Sequence, residues 1–184
     1  MAEQMRGRCG WLDTSDELYM RYHDEEWGRP VHDDQKLYEM LILETFQAGL
    51  SWRTILYKRE AFRKAYEGFD PRKVAAFGEE KIAELMADPD IIRNKRKIDA
   101  SISNSKIFLE IQKEFGTFAD YLWGFTDGKI IHESWDERTT SPLSDAVTKD
   151  LKKRGMKFVG STTIYSYLQS VGIINAHDKG CFLH

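Results

Sequence analysis

The sequence predicts an all-α protein. Apolar residues recur three and four positions apart through segments of helical length. Short loops containing Gly, Pro or Asp-Gly separate these segments, and strand is allowed only within 129–140. Helices joined by short loops bury their apolar faces against one another, and no repeat or linker divides the 184 residues. We therefore expect one helical domain over residues 1–184.

Five helices are predicted in the first half of the chain. Gly28 and Pro30 end the first helix, because neither residue favours its continuation. Ser51 is a suitable N-cap for the third helix. Asp70 caps the fourth, and Pro71 takes its first helical position, where a missing N–H is tolerated. The predicted helices cover about 16–23, 34–48, 51–67, 70–77 and 79–86.

Four more helices are predicted after a break at 88–90. Ile98 and Ile102 mark the buried face of a long helix, which the segment 91–97 introduces. Ser141 begins a later helix with a proline after it, and Gly155 ends that helix. The predicted helices cover about 97–114, 117–125, 141–154 and 161–171, and 129–140 is expected to be irregular or a short hairpin.

A carboxylate faces the predicted core near the end of the second helix. Leu37, Leu41 and Glu44 lie four and three positions apart, so they share one face. Trp52 follows eight positions later, beyond Gly49. An ionised carboxylate on an apolar face needs a partner or a cavity. The pattern indicates either a pocket for a planar cationic ligand, walled by Glu44 and Trp52, or a structural ion pair beside a core tryptophan.

Aromatic side chains are unusually frequent in the segment before the second helix. Trp11, Tyr19, Tyr22 and Trp27 all lie there, although the segment is otherwise polar. So many large rings exceed what the packing of a short polar segment needs. The rings either cover the core as a lid or form, together with Trp52, the wall of a pocket.

Composition excludes several classes of protein. A content of 41% hydrophobic and 12% aromatic residues is typical of a folded chain. A net charge of −3 gives no overall attraction to nucleic acid or to an anionic membrane. The sequence contains no serine-nucleophile elbow, P-loop or dinucleotide fingerprint. Because there is no long apolar run and no signal-peptide pattern at 1–10, we expect a soluble cytoplasmic protein.

Four possible metal ligands lie near the two ends of the chain. Cys9 and His23 are near its start, and His177 and Cys181 lie four positions apart near its end. Two Cys and two His form a closed tetrahedral set for Zn²⁺, and such a site is structural because no position remains for water. The spacing from Cys9 to His23 is longer than in a standard zinc finger. The alternative is that the cysteines are small buried apolar residues and the histidines cap helices.

Two basic clusters contrast with the acidic average. Each either covers a phosphate backbone or forms an ordinary solvated surface. The first cluster is the better candidate, because the amides of a turn and of the next helix's N-terminus can bind phosphate. It comprises Arg93, Lys95, Arg96 and Lys97. The second comprises Lys149, Lys152, Lys153, Arg154 and Lys157.

Several segments together resemble one known family. They are Arg8–Trp11, Tyr22–Gly28, Leu43–Glu44, Gln47–Trp52, Phe69–Pro71, Ser141–Asp145, and Lys157–Gly160 with the following Tyr165. These segments are similar to the DNA-3-methyladenine glycosylase I (Tag) family, and the likeness runs from Cys9 to Cys181. That family is in turn similar to the helix-hairpin-helix glycosylases, which are all-α and cut the N-glycosidic bond of an alkylated base in DNA.

The resemblance implies an enzyme of base excision repair. We expect it to flip 3-methyladenine out of double-stranded, alkylated DNA and to release the base by hydrolysis. No lysine stands out as a Schiff-base former, so strand cleavage is not expected. The resemblance also implies a bacterial, monomeric enzyme without membrane contacts. It implies one structural Zn²⁺ per chain, joining the chain ends through Cys9, His23, His177 and Cys181.

The resemblance also assigns roles in the site. A purine methylated at N3 is cationic and a good leaving group, so the enzyme must mainly extrude it, desolvate it and exclude adenine. Glu44 is the expected catalytic residue, because it offers the cationic ring an anionic acceptor. The expected substrate-binding residues are Trp11, Tyr19, Tyr22, Trp27, Glu44 and Trp52. The segment 47–50 would fill the gap left by the base. The expected DNA-binding residues are Gly49, Leu50, Arg93, Lys95 and Arg96.

Two features depart from the wider glycosylase superfamily. The segment 91–97 stands where the hairpin belongs but lacks its glycines, so its phosphate contact follows from position only. The superfamily's catalytic Asp has no counterpart, and the Tag family shares that absence. The competing class is a zinc-bearing DNA-binding domain without activity, which would not need Glu44 in a pocket. A third interpretation keeps the glycosylase and gives it a broader set of alkylpurines.

Overall fold

The computed structural model describes residues 7–133 and 138–184, and most of these residues are helical. Positions 1–6 and 134–137, the latter inside the predicted irregular segment, lie outside the described residues. The helices are α1 Glu17–Glu25, α2 Asp34–Gln47, α3 Trp52–Ala65, α4 Pro71–Ala75, α5 Glu79–Ala87, α6 Lys95–Phe115, α7 Phe118–Gly124, α8 Pro142–Lys153 and α9 Ser161–Ser170. A 3-10 turn, Glu67–Phe69, links α3 to α4. The mostly helical prediction is confirmed.

Side-chain caps determine where most of the helices begin. Ser51 accepts the backbone N–H of Thr54 at the start of α3. Ser141 and Ser144 form a reciprocal capping box at the start of α8. These caps satisfy backbone donors that have no partner inside the helix. The other side-chain caps are Asp16, Asp33, Asp70, Asn94 and Thr117.

Helix α2 is the centre of the packing. Its ten residues from 37 to 46 are all buried, because α3, α6, α7 and α9 pack around it. The one-sided apolar pattern therefore understates how deeply this helix is buried. Two carboxylates, Glu39 and Glu44, are enclosed as a consequence.

Among the described residues, no helix combines the length and the hydropathy that crossing a membrane requires.

The strand in the irregular segment pairs differently from the expected hairpin. Strand β1, Ile131–His132, runs parallel to β2, Ile174–Asn175, with Ile131 opposite Ile174. Strand does occur within 129–140, as the sequence allows, but the expectation that strand occurs only there is wrong, because β2 lies outside that segment. The physical reason is the apolar segment after α9: Ile173 and Ile174 are fully buried and offer β1 a backbone edge beside the core.

Backbone contacts join the two ends of the described chain. The N–H of Phe182 donates to the carbonyl of Gly7 at 2.8 Å. The N–H of Gly10 donates to the carboxylate of Asp178 at 2.7 Å. A side chain at Gly7 would lie 2.1 Å from the carbonyl oxygen of Gly180, so only glycine allows this approach. These contacts bring the two cysteines, 172 positions apart in sequence, into one cluster.

Candidate active site

An aromatic pocket lies where α1, α2, α3 and α9 meet. Its cavity of about 180 Å³ is smaller than the ~300–1,000 Å³ pockets that hold drug-sized ligands, which suits one small ring system. The rings of Tyr22 and Trp52 lie 5.5 Å apart, and those of Trp11 and Trp27 lie 5.0 Å apart. The lining residues are Trp11, Tyr19, Tyr22, Trp27, Glu44, Gln47, Trp52, Ser166 and Gln169. All six residues singled out as substrate-binding are thus brought together.

Local helix geometry places each wall of the pocket. Tyr19 and Tyr22 are three positions apart on α1, so both rings project from one face. Trp52 is the first residue of α3, directly after its N-cap. The α9 wall, Ser166 and Gln169, is missing from the sequence-based set. A signal for it exists, because these two polar residues are three apart in a helix whose other central residues are buried.

Glu44 is a buried carboxylate at the pocket, and it has no ionic partner in residues 7–133 and 138–184. Its residue exposure is 3%, and its Oε2 atom makes no hydrogen bond within the described chain. Burial raises the pKa of the Glu44 carboxyl to about 8. The buried ion pair on this helix belongs instead to Glu39, whose carboxylate accepts from Arg59 at 2.6 Å and contacts Arg63 at 2.9 Å.

The pocket offers a ligand both the carboxyl group of Glu44 and a hydrogen-bond donor, the indole N–H of Trp52. The buried indole N–H of Trp52 also has no hydrogen-bond partner among the described residues. Burial, followed by the charge of Glu44, raises the pKa of Tyr22 well above its usual value, so its hydroxyl keeps its proton. A cation entering the pocket would favour the ionised form of Glu44 and lower its pKa. The site is therefore suited to a flat, positively charged ring with a hydrogen-bond acceptor.

Cys9, His23 and Cys181 form a compact cluster of possible metal ligands. Their ligand atoms lie within 4.8 Å of one another, and all three residues are buried. The Nδ1–H of His23 donates to Asp24 at 2.8 Å, which leaves Nε2 facing the Cys181 sulfur at 3.6 Å. Such a carboxylate contact orients a metal-binding imidazole. Without a cation, burial and the neighbouring Cys181 raise the pKa of the Cys9 thiol to about 12.

His177, the fourth predicted ligand, lies beside this cluster rather than within it. Its ring centroid is 5.2 Å from that of His23, and its Nδ1 contacts Asn175 at 2.8 Å. Its Nε2 is buried without a partner in the described part of the chain, and burial lowers its pKa to about 4. A neutral imidazole with a free Nε2 is a suitable metal ligand. The four residues therefore offer the donor types of a zinc site with two Cys and two His, with three of them clustered and His177 beside them.

Gly28 provides space for His177. A Cβ atom at Gly28 would lie 2.4 Å from Cε1 of that ring, and its φ of +75° also favours glycine. The sequence indicates Gly28 only as a helix-ending signal, and the contact with His177 is an additional reason for it. The same imidazole lies 4.6 Å from the ring of Trp27, and His23 lies 5.5 Å from Trp11. The pocket wall and the ligand cluster therefore share a boundary.

The first basic cluster is split by the structure. Arg93, Lys95 and Arg96 are exposed, and Lys95 contacts Asp99 at 2.9 Å. Lys97 is 7% exposed and its ammonium donates to backbone carbonyls of the chain, so it belongs neither to a phosphate-covering surface nor to a solvated one. The physical reason is its register: it begins the buried face of α6.

The second basic cluster is also only partly free. Arg154 pairs with Asp150 at 2.7 Å and with Glu114 at 2.6 Å. Its guanidinium also lies over the rings of Phe115 and Tyr121. These contacts hold α8 against α6 and α7. The exposed members of the cluster are Lys149, Lys152, Lys153 and Lys157.

A tight turn connects α2, which carries Glu44, to α3, which begins at Trp52. The N–H of Leu50 donates to the carbonyl of Gln47 at 2.7 Å. Ala48 has φ −46° and ψ 117°, and Gly49 has φ +80°, which are values of a type II turn with its required glycine. Leu50 is 39% exposed, and its neighbours Gln47 and Trp52 line the pocket. An apolar side chain is thus presented beside the cavity.

The aromatic pocket over a buried carboxylate suits the binding of a single base, and the matches to known proteins show that the chain is a DNA glycosylase, an enzyme that hydrolyses N-glycosyl bonds. A family profile described as methyladenine glycosylase matches residues 11–184. The chain therefore belongs to the methyladenine glycosylase family.

Individual relatives agree with this assignment. The chain is 45% identical over 181 residues to DNA-3-methyladenine glycosylase 1 of Escherichia coli strain K12, covering 95% of each chain. It superposes on a crystal structure of 3-methyladenine DNA glycosylase I (TAG) with a TM-score of 0.91 and 46% identity, covering 96% of this chain and 99% of that one. A Staphylococcus aureus TAG structure, described as showing 3-methyladenine recognition, gives a TM-score of 0.89 and 36% identity, covering 92% and 93%.

Proposed function

We propose that this enzyme flips 3-methyladenine out of alkylated double-stranded DNA and hydrolyses its N-glycosidic bond, leaving the strand intact. The relatives' names and the structure described as recognising 3-methyladenine support the choice of base. We further propose that residues 1–184 act as one domain and as a monomer, in the cytoplasm of a bacterium.

The unpartnered carboxylate of Glu44 is the observation that carries the proposal. Ionised, it attracts the cationic methylated base, whereas neutral adenine lacks that attraction. The rings of Trp52 and Tyr22 provide surfaces on which a flat base can stack. A DNA-binding domain without activity would have no need for an unpaired carboxylate at a cavity. The exclusion of adenine then follows from charge rather than from shape alone.

Little further catalysis is required of the protein. The methylated base is already a good leaving group, so desolvation and electrostatic stabilisation supply the acceleration. Glu44 remains the catalytic residue because its carboxylate would contact the reacting base. A lysine nucleophile is not part of the described pocket lining, which supports base release without strand cleavage.

DNA contact is proposed for two surfaces beside the pocket. Gly49 allows the turn that presents Leu50, whose apolar side chain would fill the gap left by the flipped nucleotide. Arg93, Lys95 and Arg96 would contact phosphates from the exposed start of α6. The segment 91–97, which leads into α6, would then be the counterpart of the hairpin in helix-hairpin-helix glycosylases.

We propose that Zn²⁺ is held by Cys9, His23, His177 and Cys181 in a structural role. The buried Nε2 of His177, which has no partner in the described residues, supports the fourth position. Bound there, the ion would neutralise the two thiolates and fasten the N-terminal segment to the C-terminal one. The residues' own contribution is orientation, through the contacts of His23 with Asp24 and of His177 with Asn175.

Base release from alkylated DNA tests the proposed function. Purified protein is incubated with duplex DNA treated with a methylating agent, released bases are separated by chromatography, and strand breaks are counted before and after alkali. We expect released 3-methyladenine and breaks that appear only after alkali. Breaks that form without alkali in step with base release would contradict the hydrolytic, monofunctional proposal.

A further inference from the structure

Lys97 is a buried lysine whose ammonium is directed at the end of α2. Its Nζ atom donates to the carbonyl oxygen of Phe46 at 2.8 Å and to that of Ala48 at 2.7 Å. Carbonyls at a helix C-terminus have no partner inside the helix and carry the negative end of its dipole. A buried ammonium is costly unless such acceptors surround it. The two contacts therefore hold the lysine and the helix end together.

The lysine connects two regions of the proposed DNA-contacting surface. Its backbone N–H is bonded to the Asn94 side chain at 3.2 Å, in the first turn of α6 and directly after the exposed Arg96. Its ammonium bonds the carbonyl of Ala48, which lies inside the turn that presents Leu50. The end of α2, at Gln47, lies only three residues beyond Glu44. One side chain thus links the start of α6 to the turn beside the pocket.

We propose that Lys97 is a positioning residue for base excision, which holds the Gln47–Leu50 turn in place relative to the pocket and to the start of α6. The inference rests on the proposed function, because the position of the turn matters to activity only if a nucleotide is extruded. Lys97 contacts no base itself. Removing the ammonium would leave two carbonyls without their donor, whereas Glu44 would stay fixed by the packing around α2.

Hydrogen exchange of the protein without DNA tests the structural half of the proposal. Lys97→Met keeps the length of the side chain and removes its ammonium. Lys106→Met makes the same change at an exposed position of α6 and is the matched control. We expect exchange in a peptide covering 46–50 to accelerate at least tenfold in Lys97→Met only, with a peptide from the middle of α6 unchanged. An unchanged turn, or equal acceleration of both peptides, would overturn the proposal.

Single-turnover excision tests the functional half. We expect Lys97→Met to excise at least tenfold more slowly at saturating DNA, whereas its affinity for undamaged duplex stays within twofold, because a buried ammonium contacts no phosphate. Lys97→Arg keeps a cation and should stay within threefold of the parent in both assays. Parental excision by Lys97→Met, or equal losses in Lys97→Met and Lys97→Arg, would overturn the inference. Absence of base release by the parent would contradict only the proposed function, since the exchange test does not depend on it.

Discussion

Substitution of Glu44 by glutamine separates a recognition role from a structural one. The amide keeps the size of the carboxyl group and removes its charge. If Glu44 attracts a cationic base, Glu44→Gln should fold, keep its metal and bind undamaged duplex like the parent. It should lose excision of 3-methyladenine, because the charge contributes most when the base and the carboxylate are both removed from water.

The size of the loss follows from burial and charge. Two opposite unit charges about 4 Å apart attract by ~4 kcal/mol at an effective dielectric constant of ~20. At pH 7, ionising a carboxyl group whose pKa is about 8 costs ~1.4 kcal/mol. The net attraction of ~2.6 kcal/mol, taken relative to free enzyme and DNA, corresponds to a roughly 80-fold change in kcat/KM. We therefore expect a loss of roughly 30- to 100-fold, and of at least tenfold.

Glu44→Gln should raise the stability of the folded protein, although it lowers the rate of excision. The unfolded carboxyl group loses its proton near pH 4.5, but the folded one keeps it until about pH 8. The unfolded state thus binds fewer protons between these values, so the stability of the parent falls as pH rises from about 4.5 to about 8. Glutamine does not ionise. The melting temperature of Glu44→Gln should therefore rise relative to that of the parent as the pH is raised from 5 to 9.

Glu39→Gln is the matched control, because Glu39 is the ion-paired carboxylate of the same helix. Breaking a buried pair costs ~3–5 kcal/mol, and Arg59 keeps Glu26 as a second partner, so we expect the lower end of that range. The assay is single-turnover excision per folded molecule, with melting temperature measured on the same preparation. Parental excision by Glu44→Gln together with a lowered melting temperature would refute the reasoning and support a structural ion pair.

Four further predictions concern pH, metal, stacking and DNA contact. The kcat/KM for excision should rise with pH up to about 8, since it reports the ionisation of Glu44 in the free enzyme; a flat profile from pH 6 to 8 would contradict this. Protein never exposed to chelator should contain one equivalent of zinc, and Gly28→Ala should lower that content by displacing the His177 ring; less than half an equivalent in the parent would contradict the site. Trp52→Ala should slow excision by the ~1–3 kcal/mol of a lost base stack, and an unchanged rate would exclude stacking. Replacing Arg93 and Arg96 by Gln should weaken binding to damaged and undamaged duplex alike and flatten its salt dependence, whereas unchanged affinity at low salt would make them an ordinary solvated surface.

The helices could be predicted from sequence because their determinants are local. Ser51, Asp70 and Ser141 cap the helices that the sequence assigns to them, since a cap depends on three or four neighbouring residues. The pairing of β1 with β2 could not be predicted in this way. It depends on burial of the segment after α9, more than 40 residues along the chain from β1.

The sequence indicates a site residue where the spacing of residues along a helix determines which face the side chain is on. Glu44 lies in register with buried leucines, and that register alone indicates an enclosed carboxylate. Sequence spacing could not show whether its partner was an arginine or a cavity, because Arg59 reaches Glu39 from another helix. The sequence groups Lys97 with exposed basic residues because it adjoins them. Its register four positions before the buried Ser101 gives the better indication.

The most direct test of recognition by the pocket over Glu44 is the set of bases that the parent enzyme releases from one alkylated duplex. Initial rates for 3-methyladenine, 7-methylguanine and unmodified adenine are measured by chromatography in the same reaction. We expect rapid release of 3-methyladenine and no release of adenine. Comparable rates for 3-methyladenine and 7-methylguanine would favour the broader alkylpurine enzyme. Absence of 3-methyladenine release by folded, zinc-containing protein would contradict the central claim that the pocket over Glu44 recognises this base.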